Sequence, residues 1–271
     1  MGESLIMNKV STAAEAVERI RDGDLVIANF WGPGSAAHLW RALLAHGAKD
    51  LTICINNYVP KADVLREKGT PDPSLILSQT KKIITAFASA RLEEVAHIAE
   101  EIERRLADGS LEIESISHGN LVERLYAAAL GLGGIYSPIG VGTVIEEGKE
   151  KRIINGVEYL FQEPIRPDIG LISAAKADTL GNLIYHGTAR AINPIIAMAS
   201  RYTIAEVFEI VEPGALDPDH IVTPGIFVDR VVQIPDDDPV SRKRRLEWIM
   251  ASIKFREEQE EKAEASRKGG P

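Results

Sequence analysis

Apolar residues recur along this chain with two periods, and the switches between them mark out helices and strands. Residues 11–21 put Ala14, Val17 and Ile20 on one helical face, with Ser11 placed as the cap. Asp22-Gly23-Asp24 makes a turn, and 25–30 is an apolar run of strand length. Gly32-Pro33-Gly34-Ser35 turns the chain again, and 36–46 is a second helix closed by Gly47. Strand, glycine turn and helix together form the first half of a βαβ unit. A second strand follows at 51–55 and ends in Asn56-Asn57. The pattern then predicts a helix over 62–69 and a strand over 83–88. In 92–108, Leu92, Val95, Ala99, Ile102 and Leu106 form one stripe with charged residues opposite, and Gly109 stops the helix. LEIESI at 111–116 alternates as a strand does, and 122–130 reads as a helix.

The second half continues in the same way. Residues 131–143, GLGGIYSPIGVGT, are glycine-dense and uncharged. Exposing Ile135, Tyr136, Ile139 and Val141 together would be costly, so an ordered, partly buried loop is expected. Asn155-Gly156 at the centre of 152–161 signals a hairpin. A buried strand over 169–174 leads to a polar stretch, then to a helix over 194–202 with Asn193 as its cap and Pro194 at its first position. Apolar runs at 203–211 and 226–234 complete the body. From Asp236 the composition changes: 242–268 is charged, with a weak stripe at Leu246, Ile249 and Ile253. With no internal repeat or low-complexity linker, the expected organisation is one α/β domain over 1–235. It would be an open, mainly parallel sheet with helices on both faces, followed by a charged, helical extension over 236–271.

Composition narrows the function classes. The 271 residues are 45% hydrophobic, enough for a sizeable core, and carry a formal net charge of −9. An acidic chain with no basic cluster in its body argues against nucleic-acid binding. The single cysteine, Cys54, lies in an apolar run and reads as a small buried hydrophobe, consistent with a reducing compartment. The start, MGESLIMNKV, lacks a signal-peptide pattern, and no run reaches the ~18 apolar residues of a membrane span. The expectation is a soluble cytoplasmic protein. The six histidines lack paired ligand spacing with cysteines or acids, so no metal site is indicated.

Candidate chemistry gathers in a few places. The stretch 176–194, KADTLGNLIYHGTARAINP, is polar yet sits between apolar runs. Polar loops on an α/β scaffold are where sites are built. Asp178 and Arg190 either touch a ligand or pair with each other as a clamp, with Asn182 also in support. Gly32 and Gly34 form a strand-to-helix turn where a ligand can approach the backbone. The turn lacks both GxGxxG and GK[ST], so neither dinucleotide binding nor a P-loop is indicated. Asn56 and Asn57, ending a buried strand, either close it as an Asx-turn or donate to a developing oxyanion. His118 can hydrogen-bond a carboxylate, act as a base, or fill space.

The run KADxxGNLxYxGTARxxNP, followed by TIAEVxEIVEPGxLDPDxIxTPGIFVDRVV at 203–232, resembles the A subunit of family I CoA-transferases of the 3-oxoacid type. The resemblance extends over roughly 10–234. It implies an enzyme subunit that takes part in moving CoA between an acyl-CoA and a carboxylic acid, with coenzyme A as a substrate and no cofactor. It further implies a hetero-oligomer, in which a B subunit carries the catalytic glutamate in an ENG-like motif that this chain lacks. Glu147-Gly148 is not that motif: GxGTxxxEGKE is ordinary in A subunits. The resemblance makes Asn56 the oxyanion-hole donor, supported by Asn57. It places Gly32, Gly34, His118, Gly119, Gly140 and Gly142 against substrate, the last two through a segment similar to YTPTGVGT. The chain departs from the pattern at Ala28-Asn29, where two glycines are usual, at Ala36, where proline is usual, and at His118, where PQGTL has glutamine. The last departure keeps open an acyl-CoA hydrolase or C–C bond-cleaving enzyme on the same two-subunit scaffold.

Overall fold

The structure, a computed structural model, describes residues 8–29, 34–57, 73–87 and 96–238. The expected helix at 62–69, the first residues of the helix at 92–108, Gly32, and the extension from 239 onward lie outside these. Among the described residues are helices α1 (Ala13–Val17), α2 (Ala37–His46), α3 (Ala96–Ala107), α4 (His118–Ala129) and α5 (Asn193–Ala199). The strands are β1 (Leu25–Ala28), β2 (Leu51–Asn57), β3 (Thr80–Phe87), β4 (Glu112–Ser115), β5 (Ile135–Ser137), β6 (Lys151–Ile154), β7 (Val157–Gln162), β8 (Ile169–Asp178), β9 (Leu183–Ile184), β10 (Tyr202–Val211) and β11 (Arg230–Gln233).

The main sheet runs β11-β10-β8-β1-β2-β3-β4, and every neighbouring pair on that path is parallel. This is the open, mainly parallel α/β sheet expected. β1 lies inside it: the chain winds outward through β2, β3 and β4, then returns to β8 on the other side of β1. That reversal makes a topological switch point between the carboxyl ends of β1 and β8, where open α/β sheets bind ligands.

Strand parity builds two cores. Val26, Ala28, Ile53, Ile55, Leu171 and Ile204 pack under α1, α2 and α3. Ile27, Cys54, Ile84, Ile172 and Ala205 face α4 and α5. Gly170 lets α5 come close, since a Cβ there would run into Ser200 and into Ile196 Cγ2 at 3.0 Å. A separate three-stranded antiparallel sheet, β5-β7-β6, contains the expected hairpin. Both residues of its turn take positive φ, 52° at Asn155 and 82° at Gly156, as a two-residue type I′ turn requires.

Several boundaries differ from the sequence reading. Thr12 caps α1, not Ser11, because Glu15 stands three residues on and closes a capping box with it. Helix α4 starts at His118 rather than 122, capped by the Ser117 hydroxyl, which accepts the Asn120 N–H. β8 runs on to Asp178, so the first residues of the polar stretch belong to the sheet, and β9 folds back antiparallel on them. Asn193 lies inside α5, and its side chain makes no cap.

Candidate active site

Two of the sequence candidates lie at the carboxyl ends of main-sheet strands, Asn56 in β2 and Asp178 on β8. Asn29 and Asn56 each lie two residues beyond the Ile27–Cys54 register pair of β1 and β2. Their parity directs both toward the face covered by α4 and α5. Asn56 is 9% exposed, and its Oδ1 is buried with no hydrogen-bond partner. Most buried polar groups are paired, so this unpaired acceptor oxygen stands out at the edge of the sheet. Both amides belong to β2, whose last described residue is Asn57.

Gly34 sits across from the polar stretch. Its side-chain position is occupied by the Ala189 carbonyl, with Asn193 Nδ2 at 3.0 Å. The Gly34 carbonyl accepts from Asn29 Nδ2 at 3.1 Å and from Asn193 Nδ2 at 3.1 Å. What this glycine makes room for is therefore another part of the chain. Behind the turn, Ala36 offers no side-chain cap to α2. Glu206, buried on β10, accepts the Leu39 N–H at 2.8 Å and serves as the anion at this helix N-terminus. Asp238, also buried, pairs with His38 at 3.2 Å and with Arg41. Burial holds His38 below the usual histidine range, against the charge of Glu206, which raises it.

A second cluster forms where α4 begins. A Cβ on Gly119 would meet Ile139 Cδ1 at 2.6 Å, so this glycine lets the 138–143 loop close on the helix. Asn120 Nδ2 reaches the Ile139 carbonyl at 3.4 Å. His118, the first residue of α4, is exposed. Gly140 has φ 96° and packs on Ile145. The Gly142 N–H donates to Glu146 Oε2 at 2.6 Å, so it is already engaged within the loop. Glu146 in turn pairs with Lys151 at 2.9 Å, and these two contacts hold its carboxyl below the usual range. Glu150 accepts from the Tyr136 hydroxyl, and Glu147 is exposed. The acidic run at 146–150 is thus a surface turn.

Asp178 is the lock of the polar stretch. Its carboxylate accepts from Leu180 N, Asn182 N and Asn182 Nδ2, while Asn182 Oδ1 accepts from Gly225 N at 2.8 Å. Arg190 does not share in this. It is exposed, with no ion pair to Asp178, so the expected alternative of an Asp178–Arg190 clamp does not form. Sequence reasoning missed three residues that shape the site: Asn29, Asn193 and Glu206. Asn193 carried only a local signal, the Asn-Pro pair, which pointed to a cap. Among the described residues no group of three His, Cys, Asp or Glu side chains is placed to hold a metal, and no helix is long and apolar enough to cross a membrane.

A doubly wound α/β sheet with amides and tight turns at its switch point defines a small-molecule enzyme scaffold. The Coenzyme A transferase family model matches residues 10–233, and the chain belongs to that family. It is 42% identical over 232 residues to the A subunit of a probable succinyl-CoA:3-ketoacid coenzyme A transferase of Bacillus subtilis (strain 168), covering 83% of this chain and 90% of that one. It is 39% identical over 235 residues to the A subunit of the 3-oxoadipate CoA-transferase of Pseudomonas putida, covering 85% and 95%. Among solved structures, an acyl-CoA transferase from E. coli O157:H7, in a thioester complex with CoA, superposes with a TM-score of 0.69 at 23% identity. That match covers 84% of this chain and 48% of the other, and it carries the fold.

Proposed function

We propose that this chain is the A subunit of a heteromeric CoA-transferase that moves CoA between an acyl-CoA and a carboxylic acid. A B subunit supplies the nucleophilic glutamate. Its carboxylate attacks the acyl-CoA carbonyl, CoA leaves as thiolate, and an acyl-glutamyl anhydride forms. The thiolate then attacks the glutamyl carbonyl, releasing the first acid and leaving a glutamyl-CoA thioester. An acceptor acid runs the sequence in reverse. No cofactor is needed, and coenzyme A enters only as substrate.

The observation that carries this reading is the place of Asn56, a buried carboxamide at the carboxyl end of β2, in a chain whose relatives are named as A subunits. In this role Asn56 Nδ2 donates to the oxyanion of each tetrahedral intermediate. In this reading the Gly34 backbone, His118, Gly119 and the Gly140–Gly142 loop line the acyl and thioester path. Glu146 and Glu150 are engaged in their surface turn and Glu147 is exposed on it, which favours a nucleophile brought by the partner.

The test combines this chain, its B partner and an acyl-CoA, and seeks covalent CoA by mass spectrometry. A CoA adduct on a glutamate of the partner is the expected result. Free CoA released without an acceptor acid, and no adduct on either chain, would replace transfer by hydrolysis or C–C cleavage and direct attention to His118.

A further inference from the structure

We infer that Asn193 is a positioning residue for the reaction, holding the Gly34 turn at the switch point against the rest of the sheet. This rests on the proposed function above, in which that turn lies along the acyl-CoA path. Asn193 is completely buried, and its carboxamide is fully committed. Nδ2 donates to the Gly34 carbonyl and to the Ala189 carbonyl, both at 3.1 Å, while Oδ1 accepts the Ser173 N–H at 3.4 Å. An amide has two donor hydrogens, and both are used within the chain. Asn193 therefore has no donor left for a substrate, and it acts through Gly34.

The arrangement ties together segments distant in sequence. Asn29 follows β1 and is also completely buried; it donates to the same Gly34 carbonyl. Ser173 is on β8, Ala189 is in the short helical turn Gly187–Arg190, and Asn193 starts α5. The absence of a side chain at Gly34 lets the Ala189 carbonyl press against it. Full pairing by itself is what any buried amide needs. Here two carboxamides converge on the one carbonyl of Gly34, just ahead of α2, which fixes Gly34 relative to β1 and α5. Small displacements of a positioned group cost large factors in rate.

The experiment compares wild type with Asn193→Asp, Asn29→Ala and the double variant, each assembled with the B partner. Asn193→Asp keeps the side-chain shape but turns the donor into an acceptor facing two carbonyls. Melting temperature and assembly are measured first, then kcat and KM for acyl-CoA, then amide hydrogen exchange in the peptide spanning 34–44. The expected result is a roughly 10–100-fold loss in kcat/KM in each single variant, with assembly retained and faster exchange in the turn. The double variant should be little worse than either single, because both act on one carbonyl. Activity within about twofold of wild type and unchanged exchange in the turn would overturn the proposal. Should Asn193→Asp not fold, Asn29→Ala carries the same test at the same carbonyl. A wild-type complex without CoA transfer would defeat the functional reading instead, while exchange in the turn would still report whether Asn193 holds it.

Discussion

Asn56 is where one side chain separates chemistry from stability. Its Oδ1 is buried without a partner, so the folded chain bears a desolvation cost there that truncation removes. Asn56→Ala should lower kcat of the assembled enzyme roughly 10²–10³-fold, the effect of losing one oxyanion donor. The melting temperature should stay level or rise. Steady-state kinetics beside thermal unfolding decides the matter: full turnover would remove Asn56 from the mechanism, and a marked loss of stability would make it a structural residue. In the sequence, Asn56 was singled out by the family resemblance, since a strand-ending amide pair alone reads more readily as an Asx-turn. Asn193 was misread as a cap, since the partner that decides its role, Gly34, lies 159 residues away. Glu206 gave no signal at all. A glutamate in a mostly apolar strand does not reveal that Leu39 of α2 awaits a capping anion 167 residues earlier.

Among the elements, the hairpin of β8 and β9 shows how a polar stretch becomes rigid. The sequence placed a loop here, but pairing of Lys176 with Ile184 and Ala177 with Leu183 extends the strand into it. Alternation of apolar residues could not show this, because the pairing is completed by polar atoms of the turn. Asp178 is 3% exposed and accepts three hydrogen bonds from the turn it begins. Asp178→Ala would leave those donors unpaired and should destabilise by about 2–3 kcal/mol. Thermal unfolding should then fall by roughly 5–10 °C. Because Asn182 also braces Gly225, hydrogen exchange should rise around 180–184 and 223–227 together. A change confined to the first segment would mean that the turn and the Gly225 strand approach are independent. Helix α4 makes the same point from the other side. The sequence reading began this helix at 122, past Ser117, because Gly119 in the first turn masked the start. That glycine is explained only by Ile139 pressing on it from a loop twenty residues on.

For the molecule as a whole, the layered fold sets how stability responds to pH. The mainly parallel sheet with helices on both faces followed from the hydrophobic pattern, and so did the burial of Cys54, while the strand order came only with the structure. The electrostatics of that burial were not written in the pattern. Burial pushes the Cys54 thiol up to about 12 from its ordinary 9.0. The folded chain therefore keeps a proton that the unfolded chain gives up above pH 9, and stability must fall as pH rises through that window, by up to about 1.4 kcal/mol per pH unit. At the acid end the sign reverses. Burial alone would raise Glu114, but hydrogen bonds from Arg124 at 2.6 Å and Lys82 at 2.8 Å hold its carboxyl below the ordinary 4.5. Its contribution is complete above 4.5 and is lost as pH falls through the lower folded value. Denaturant unfolding across pH, repeated with Cys54→Ala and Glu114→Gln, separates the two limbs. Cys54→Ala should flatten the alkaline decline without touching the acid one, and Glu114→Gln should do the opposite. In native protein below pH 9, alkylation of Cys54 should proceed only through global opening, because its strand is central to the sheet and its thiol is protonated. Alkylation faster than global unfolding would show that β2 opens locally, and with it the edge that carries Asn56.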